Sequence, residues 1–203
     1  MRGRCYAGLS SPVMTDFTND LERCLQVLHL GGIILYPTDT VWGLGCDATN
    51  TAAVKKLIKL KGKPGQKGLI VILATERDVL QYVASPDLEL FDFLEQQTRP
   101  TTVIYNNGLN VADDVLNSDG SIAIRIISED FCRHLVKRFR KPIVATSANF
   151  HGEPTPHNFT EINPRLIQQA DYTVKFRQEE LGVSAASAII KWNGAGDVTV
   201  IRK

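Results

Sequence analysis

Three small oxygen-bearing side chains, Thr38, Asp39 and Thr40, follow the apolar run Ile33-Ile34-Leu35-Tyr36 and the Pro37 that ends it. Hydroxyls and a carboxylate released at the end of a buried strand can hold a polar ligand at the rim of an α/β sheet. They can equally form a polar turn between strand and helix. Gly43 and Gly45, just beyond Trp42, allow close backbone approach or positive φ, which a strand that only packs does not need. A second group is Lys59, Lys61, Lys63 and Lys67, spread over a helix end and a Gly/Pro loop. Ammonium groups beside glycine-rich backbone suit a polyphosphate, although the spacing is not that of a Walker A loop. Lys55 and Lys56 read instead as an ordinary solvated helix face. A third group, Thr146-Ser147-Ala148-Asn149, again puts hydroxyls and an amide after a buried strand, where either a ligand site or a simple Asx or Ser turn fits. Arg125 is the single charge inside Ile122-Ala123-Ile124-Arg125-Ile126-Ile127 and requires either an internal carboxylate or a bound anion.

No G-x-S-x-G elbow, no G-x-G-x-x-G after a strand and no paired acids flanking a cleft occur, so a covalent nucleophile or a hydride carrier is disfavoured. A reaction run by positioning and charge stabilisation fits these groups better. The formal net charge of +1 gives no global pull toward nucleic acid or membrane, so any anion-binding surface must be local. Four scattered cysteines without a C-x-x-C pair argue against a zinc cage or disulfide framework and fit a reducing compartment.

These groups need elements to hold them. Helical spacing starts near Thr15 with Phe17, Leu21, Cys24, Leu25 and Leu28, and Gly31 is its stop. Further helices are expected over Thr51–Lys61 and Glu76–Val83, after the Ser85-Pro86 pair, after Ser128, and over Ile162–Ala170. Strands are expected at Ile33–Tyr36, Leu69–Leu73, Thr101–Tyr105, Ile122–Ile126 and Ile143–Ala145, with short ones near Thr173, Ala188 and Val198. Alternating strands and helices predict an α/β fold with a mixed sheet. Residues 1–13 read as a leader or start-site extension and 14–203 as one domain, without a membrane span.

Taken in order, Y-P-T-D-T-V-W-G-L-G-C-D, K-G-K-P-x-x-K-G-L, I-R-I and T-S-A-N resemble the YrdC-type threonylcarbamoyl-AMP synthases over most of the chain. The resemblance implies a twisted mixed α/β sheet flanked by helices, with a basic ligand cavity. It implies that L-threonine, bicarbonate and ATP are joined into L-threonylcarbamoyl-AMP with release of pyrophosphate and with Mg²⁺ carried on the ATP phosphates rather than by protein ligands. A downstream threonylcarbamoyl transferase would then modify an adenosine beside the tRNA anticodon. Position by position, the resemblance places substrate near Thr38 and Thr40, and ATP phosphates near Lys61 and Lys63, with Lys59 and Lys67 in the same cluster. Thr102, Ser147 and Asn149 become nucleotide contacts, Arg125 an anion contact, and Ser187 and Arg202 late positions that close over the ligand. Lys61, Lys63 and Arg125 are the catalytic candidates. Three departures stand out: Lys63 replaces the family's Arg, which loses a bidentate fork, Arg99-Pro100-Thr101-Thr102 shortens the usual P-G-P-x-T, and Ser187-Ala188 replaces S-T. The chain resembles the short form, expected to be cytoplasmic, with at most weak contact to tRNA. The rivals are a non-catalytic or RNA-binding relative and a carbamoyl-transfer module of hydrogenase-maturation type. If Lys61 and Lys63 both face the triphosphate, truncating either weakens ATP binding by about 1.5–3 kcal/mol, while their loop position limits the loss of stability to about 0.5 kcal/mol, and Lys56 on the outer helix face is the control that tolerates Ala.

Overall fold

Apolar side chains three and four residues apart build the first helix, α1 (Thr18–His29), which buries Leu21, Cys24, Leu25 and Leu28. Gly31, at φ +74°, turns the chain out of it, and the N–H groups of Gly31 and Gly32 return to the carbonyls of Leu28 and Val27. The computed structural model describes residues 17–62, 69–182, 185–194 and 196–203. The expected leader, Lys63 and Lys67 lie outside these residues.

Every side chain of β1 (Ile34–Tyr36) is buried. The glycine stretch after it is a strand, β2 (Gly43–Gly45), antiparallel to β1. Space is what selects glycine there: a Cβ on Gly45 would stand 2.7 Å from Tyr36 Cε1 and from the Val144 carbonyl oxygen. Neither glycine adopts positive φ among the described residues.

Asn50 caps α2 (Thr51–Leu60), accepting from the N–H groups of Ala52 and Ala53 at 3.0 and 3.1 Å. The chain continues through β3 (Ile70–Leu73), α3 (Glu76–Val79), α4 (Glu89–Glu95), β4 (Thr101–Tyr105) and β5 (Ile122–Ile126). It closes with α5 (Asp130–Phe139), β6 (Ile143–Ser147), α6 (Pro164–Gln169), β7 (Tyr172–Thr173), β8 (Ala188–Gly194) and β9 (Asp197–Arg202). Three expected helix starts shift. Ser85 adopts φ 53° and caps nothing, so α4 begins later, with Asp87 accepting from Glu89 N–H at 3.0 Å. Glu129 rather than Ser128 caps α5, taking the N–H groups of Phe131 and Cys132. Asn163 caps α6, placing Pro164 at the first turn.

Among the described residues, nine strands form one mixed sheet in the order β7-β1-β2-β6-β3-β5-β4-β8-β9. Pairs β1–β7, β3–β5 and β4–β8 are parallel, and the remainder are antiparallel. Helices flank it: α1 packs on α5 and β1, α5 on β3, and α4 on β8. No helix among the described residues is long and apolar enough to cross a membrane.

Lys56 is exposed on the outer face of α2, as expected, and it also holds an ion pair. Its Nζ lies 2.6 Å from Asp171 Oδ2, the oxygen that also accepts from Ile33 N–H at 2.7 Å. Asp171 thus ties α2 and the entry to β1 together. Asp171→Ala strands the buried Ile33 N–H and is expected to cost about 1–2 kcal/mol in urea unfolding, a loss that Asp171→Asn largely avoids.

Candidate functional site

The sheet opens on one cleft. The loop from β1 to β2 supplies Thr38 and Thr40, β5 supplies Arg125, β6 supplies Ser147, the approach to β8 supplies Ser187, and β9 supplies Arg202. Between them lies a cavity of about 100 Å³. Six of the residues singled out in the sequence therefore meet in three dimensions, although up to 164 positions separate them in the chain, from Thr38 to Arg202.

Arg125 is only 4% exposed. Of the two partners its burial allowed, the structure supplies the carboxylate: Nη2 lies 3.2 Å from Asp39 Oδ1, and Nη1 donates to Thr40 Oγ1 at 3.1 Å. The pairing is incomplete. Arg125 Nε, Asp39 Oδ1 and the nearby Tyr36 Oη have no hydrogen-bond partner among the described residues. Burial pushes the Asp39 carboxyl above its ordinary pKa, against the pull of the Arg125 charge. Burial, then the positive charge of Arg125, lowers the pKa of Arg202. Two guanidiniums thus share the cleft, one of them with an unused donor, which is a setting for an oxyanion.

The hydroxyl protons have fixed directions. Thr38 Oγ1 donates to the Val41 carbonyl at 2.9 Å and accepts from Thr40 N–H at 3.0 Å. Its proton being spent, the 2.9 Å contact between the two hydroxyls must run from Thr40 to Thr38. Arg125 can only donate, so Thr40 Oγ1 receives from it and offers the cleft a lone pair, not a proton. Ser147 Oγ likewise gives its proton to Asn149 Oδ1. Thr40 and Ser147 face a ligand as acceptors, suited to an amine or a ligand hydroxyl, and the arginines are left to hold anions.

Lys61 is not in a solvated loop. It is the C-cap of α2 and 6% exposed, and its Nζ donates to the Ser147 carbonyl at 2.6 Å and to Asn149 Oδ1 at 3.2 Å. In return His151 N–H binds the Lys61 carbonyl at 2.9 Å. Lys61 therefore clamps the end of α2 to the Ser147–Asn149 turn at the wall of the cleft. Lys59 is exposed on α2 and is not part of the cleft lining. Thr102 is fully buried behind the cleft, 2.8 Å from Ser187 Oγ, while Arg202 Nε donates to the Ser187 carbonyl at 3.0 Å.

The sequence reading did not single out Thr155, which lines the cleft from the Gly/Pro/His loop and carries no local signal. Asp39 was recognised as part of the polar triplet but not as the partner of Arg125. Among the described residues no cluster of three or more His, Cys, Asp or Glu side chains could hold a metal ion.

A family model, Sua5/YciO/YrdC, described as "Telomere recombination", matches residues 26–203. A protein of Stenotrophomonas maltophilia named threonylcarbamoyl-AMP synthase is 34% identical over 154 residues, covering 74% of this chain and 83% of that protein. A protein of the same name from Pseudoalteromonas translucida is 32% identical, covering 84% of this chain and 91% of its own. The solved structure of E. coli YciO shares the fold at a TM-score of 0.77 and 19% identity, covering 91% of this chain and 89% of that one. The backbone, the motif order and these likenesses agree: the chain belongs to the Sua5/YciO/YrdC family.

Proposed function

We propose that the chain is an L-threonylcarbamoyl-AMP synthase, joining L-threonine, bicarbonate and ATP and releasing pyrophosphate. The observation that carries this reading is the meeting in one cleft of acceptor hydroxyls, Thr40 and Ser147, with two guanidiniums, Arg125 and Arg202. Relatives named for this activity support it.

The threonine amine takes up carbon dioxide derived from bicarbonate and becomes a carbamate. A carbamate oxygen then attacks the α-phosphorus of ATP, and the bond from that phosphorus to the bridging oxygen breaks as pyrophosphate leaves. No protein nucleophile is needed. What this chain supplies is orientation and positive charge: Thr40 with Thr38 receives the amino-acid end, and Arg125 with Arg202 neutralises the phosphate and carboxylate groups. Lys61 holds Ser147 and Asn149 in place and adds positive charge at the wall. Thr102 supports Ser187 from behind, and Lys63 and Lys67 are assigned to the outgoing pyrophosphate. The lining offers hydroxyls and guanidiniums and, among the described residues, no carboxylate, so the Mg²⁺ that accompanies ATP would sit on phosphate oxygens. The product passes to a threonylcarbamoyl transferase that acts on tRNA in the cytoplasm, and direct tRNA contact by this chain is weak.

Pyrophosphate release measured with single omissions tests the reading. Release is expected to need ATP, L-threonine and bicarbonate together. Release indifferent to threonine would make the chain an ATP hydrolase, and no release beside tight tRNA binding at physiological salt would favour the RNA-binding alternative.

A further inference from the structure

Arg177 lies outside the cleft, in the wall of a separate groove with Phe17, His134 and Phe176. Its backbone is left-handed, φ 66°, a conformation that side chains other than glycine seldom adopt. Its side chain explains why the position holds an arginine. Nε donates to Glu180 Oε2 at 2.7 Å, Nη1 donates to the Thr38 carbonyl at 3.1 Å, and Nη1 stands 3.8 Å from Glu129 Oε1. Glu129 is itself fixed by capping α5, and two residues on from the start of that helix Cys132 Sγ donates to the Pro37 carbonyl at 3.1 Å. The carbonyls of Pro37 and Thr38 are thus both gripped from behind, on the side away from the ligand.

From this geometry we infer that Arg177 is a positioning residue for the proposed adenylation, acting through the peptide between Thr38 and Asp39. That peptide joins two groups of the site. Thr38 Oγ1 orders the Thr40 amide and hydroxyl, and Asp39 sits against Arg125. If the peptide rotates, the acceptor end and the guanidinium lose their alignment together. Fixing it through a donor-only side chain leaves the hydroxyl protons pointing as the site requires. The cost is a backbone held in a strained region, a pattern that belongs to sites where the surrounding contacts over-determine the conformation.

The inference rests on the synthase reading for its kinetic consequences but not for its structural one, and the test separates them. Arg177→Met removes the donors and keeps most of the stem, whereas Arg177→Lys can still reach the Thr38 carbonyl. Hydrogen exchange of the Thr40 amide needs no substrate. It is expected to speed up about tenfold in Arg177→Met and to recover in Arg177→Lys. In pyrophosphate release, KM for threonine and KM for ATP are both expected to rise about tenfold in Arg177→Met and to recover in Arg177→Lys. The thermal midpoint should move by no more than about 3 °C, since the ion pairs lost are partly exposed. Unchanged Thr40 exchange in Arg177→Met would overturn the inference, as would a general collapse of stability that accounts for the kinetic loss. Faster Thr40 exchange in a protein that shows no threonine-dependent release would uphold the positioning role and sink the synthase reading alone.

Discussion

Lys61→Met is expected to lower turnover by about a hundredfold and to destabilise the fold at the same time. Met preserves the aliphatic stem but leaves the Ser147 carbonyl and Asn149 Oδ1 without the charged donor they share at 2.6 and 3.2 Å. A charge-assisted hydrogen bond of this kind is worth about 1.5–3 kcal/mol, or roughly ten- to a hundredfold in an equilibrium. For a chain of this size that corresponds to a loss of about 5–10 °C in thermal midpoint. A solvated loop lysine would give neither loss. The control is Lys55→Ala, whose ammonium is exposed and only 3.9 Å from Asp114, and which should leave both quantities unchanged. Turnover and unfolding measured side by side decide the matter. A stable, inactive Lys61→Met would mean that the ammonium serves the ligand alone, and a variant indistinguishable from Lys55→Ala would remove Lys61 from the site.

Arg125→Met is expected to have the larger structural effect, about 3–5 kcal/mol, because it leaves the Asp39 carboxylate, 9% exposed, without its cation. The pH dependence follows from the direction of the Asp39 shift. Burial already raises its folded-state pKa, and losing Arg125 raises it further. The folded variant then binds a proton more tightly than the unfolded chain, so its stability falls as pH rises through that window and recovers on acidification. Urea unfolding of Arg125→Met at neutral pH and at about pH 5 should show the deficit shrink at the lower value. Adding Asp39→Asn removes the stranded charge and is expected to restore most of the stability while activity stays lost by at least a hundredfold. Recovery of activity in the double variant would show that Arg125 acts only as a counter-charge to Asp39 and has no part in holding substrate.

Much of the fold was legible because it is written in local periods. The runs Ile34–Tyr36, Ile70–Leu73 and Ile122–Ile126 have no polar alternation except Arg125, and they form largely buried strands flanked on both sides by other strands. Helices α1, α2 and α5 carry their apolar residues at helical spacing and appear where that spacing places them. The site was legible as residue types at strand ends, since hydroxyls and a lone arginine among β-branched neighbours are locally conspicuous. The helix caps were less so: Ser85-Pro86 has the composition of a helix start, yet the backbone there turns left-handed and α4 begins at Glu89.

Tertiary structure decided the rest. Gly43-Leu44-Gly45 has poor strand propensity, and it becomes β2 because only glycine fits between Tyr36 and the Val144 carbonyl. Whether Arg125 met a carboxylate or an anion could not be read from its own neighbourhood. Its partner Asp39 lies 86 positions away in the chain, and Arg177 reaches Thr38 across 139. Lys61 has the composition of a solvated loop, but the turn after β6 folds over it and makes it a buried clamp. Local sequence sets backbone periods and the chemistry each strand end can offer. Which of those ends face one another depends on strand order and register, and these are fixed by burying the whole sheet at once.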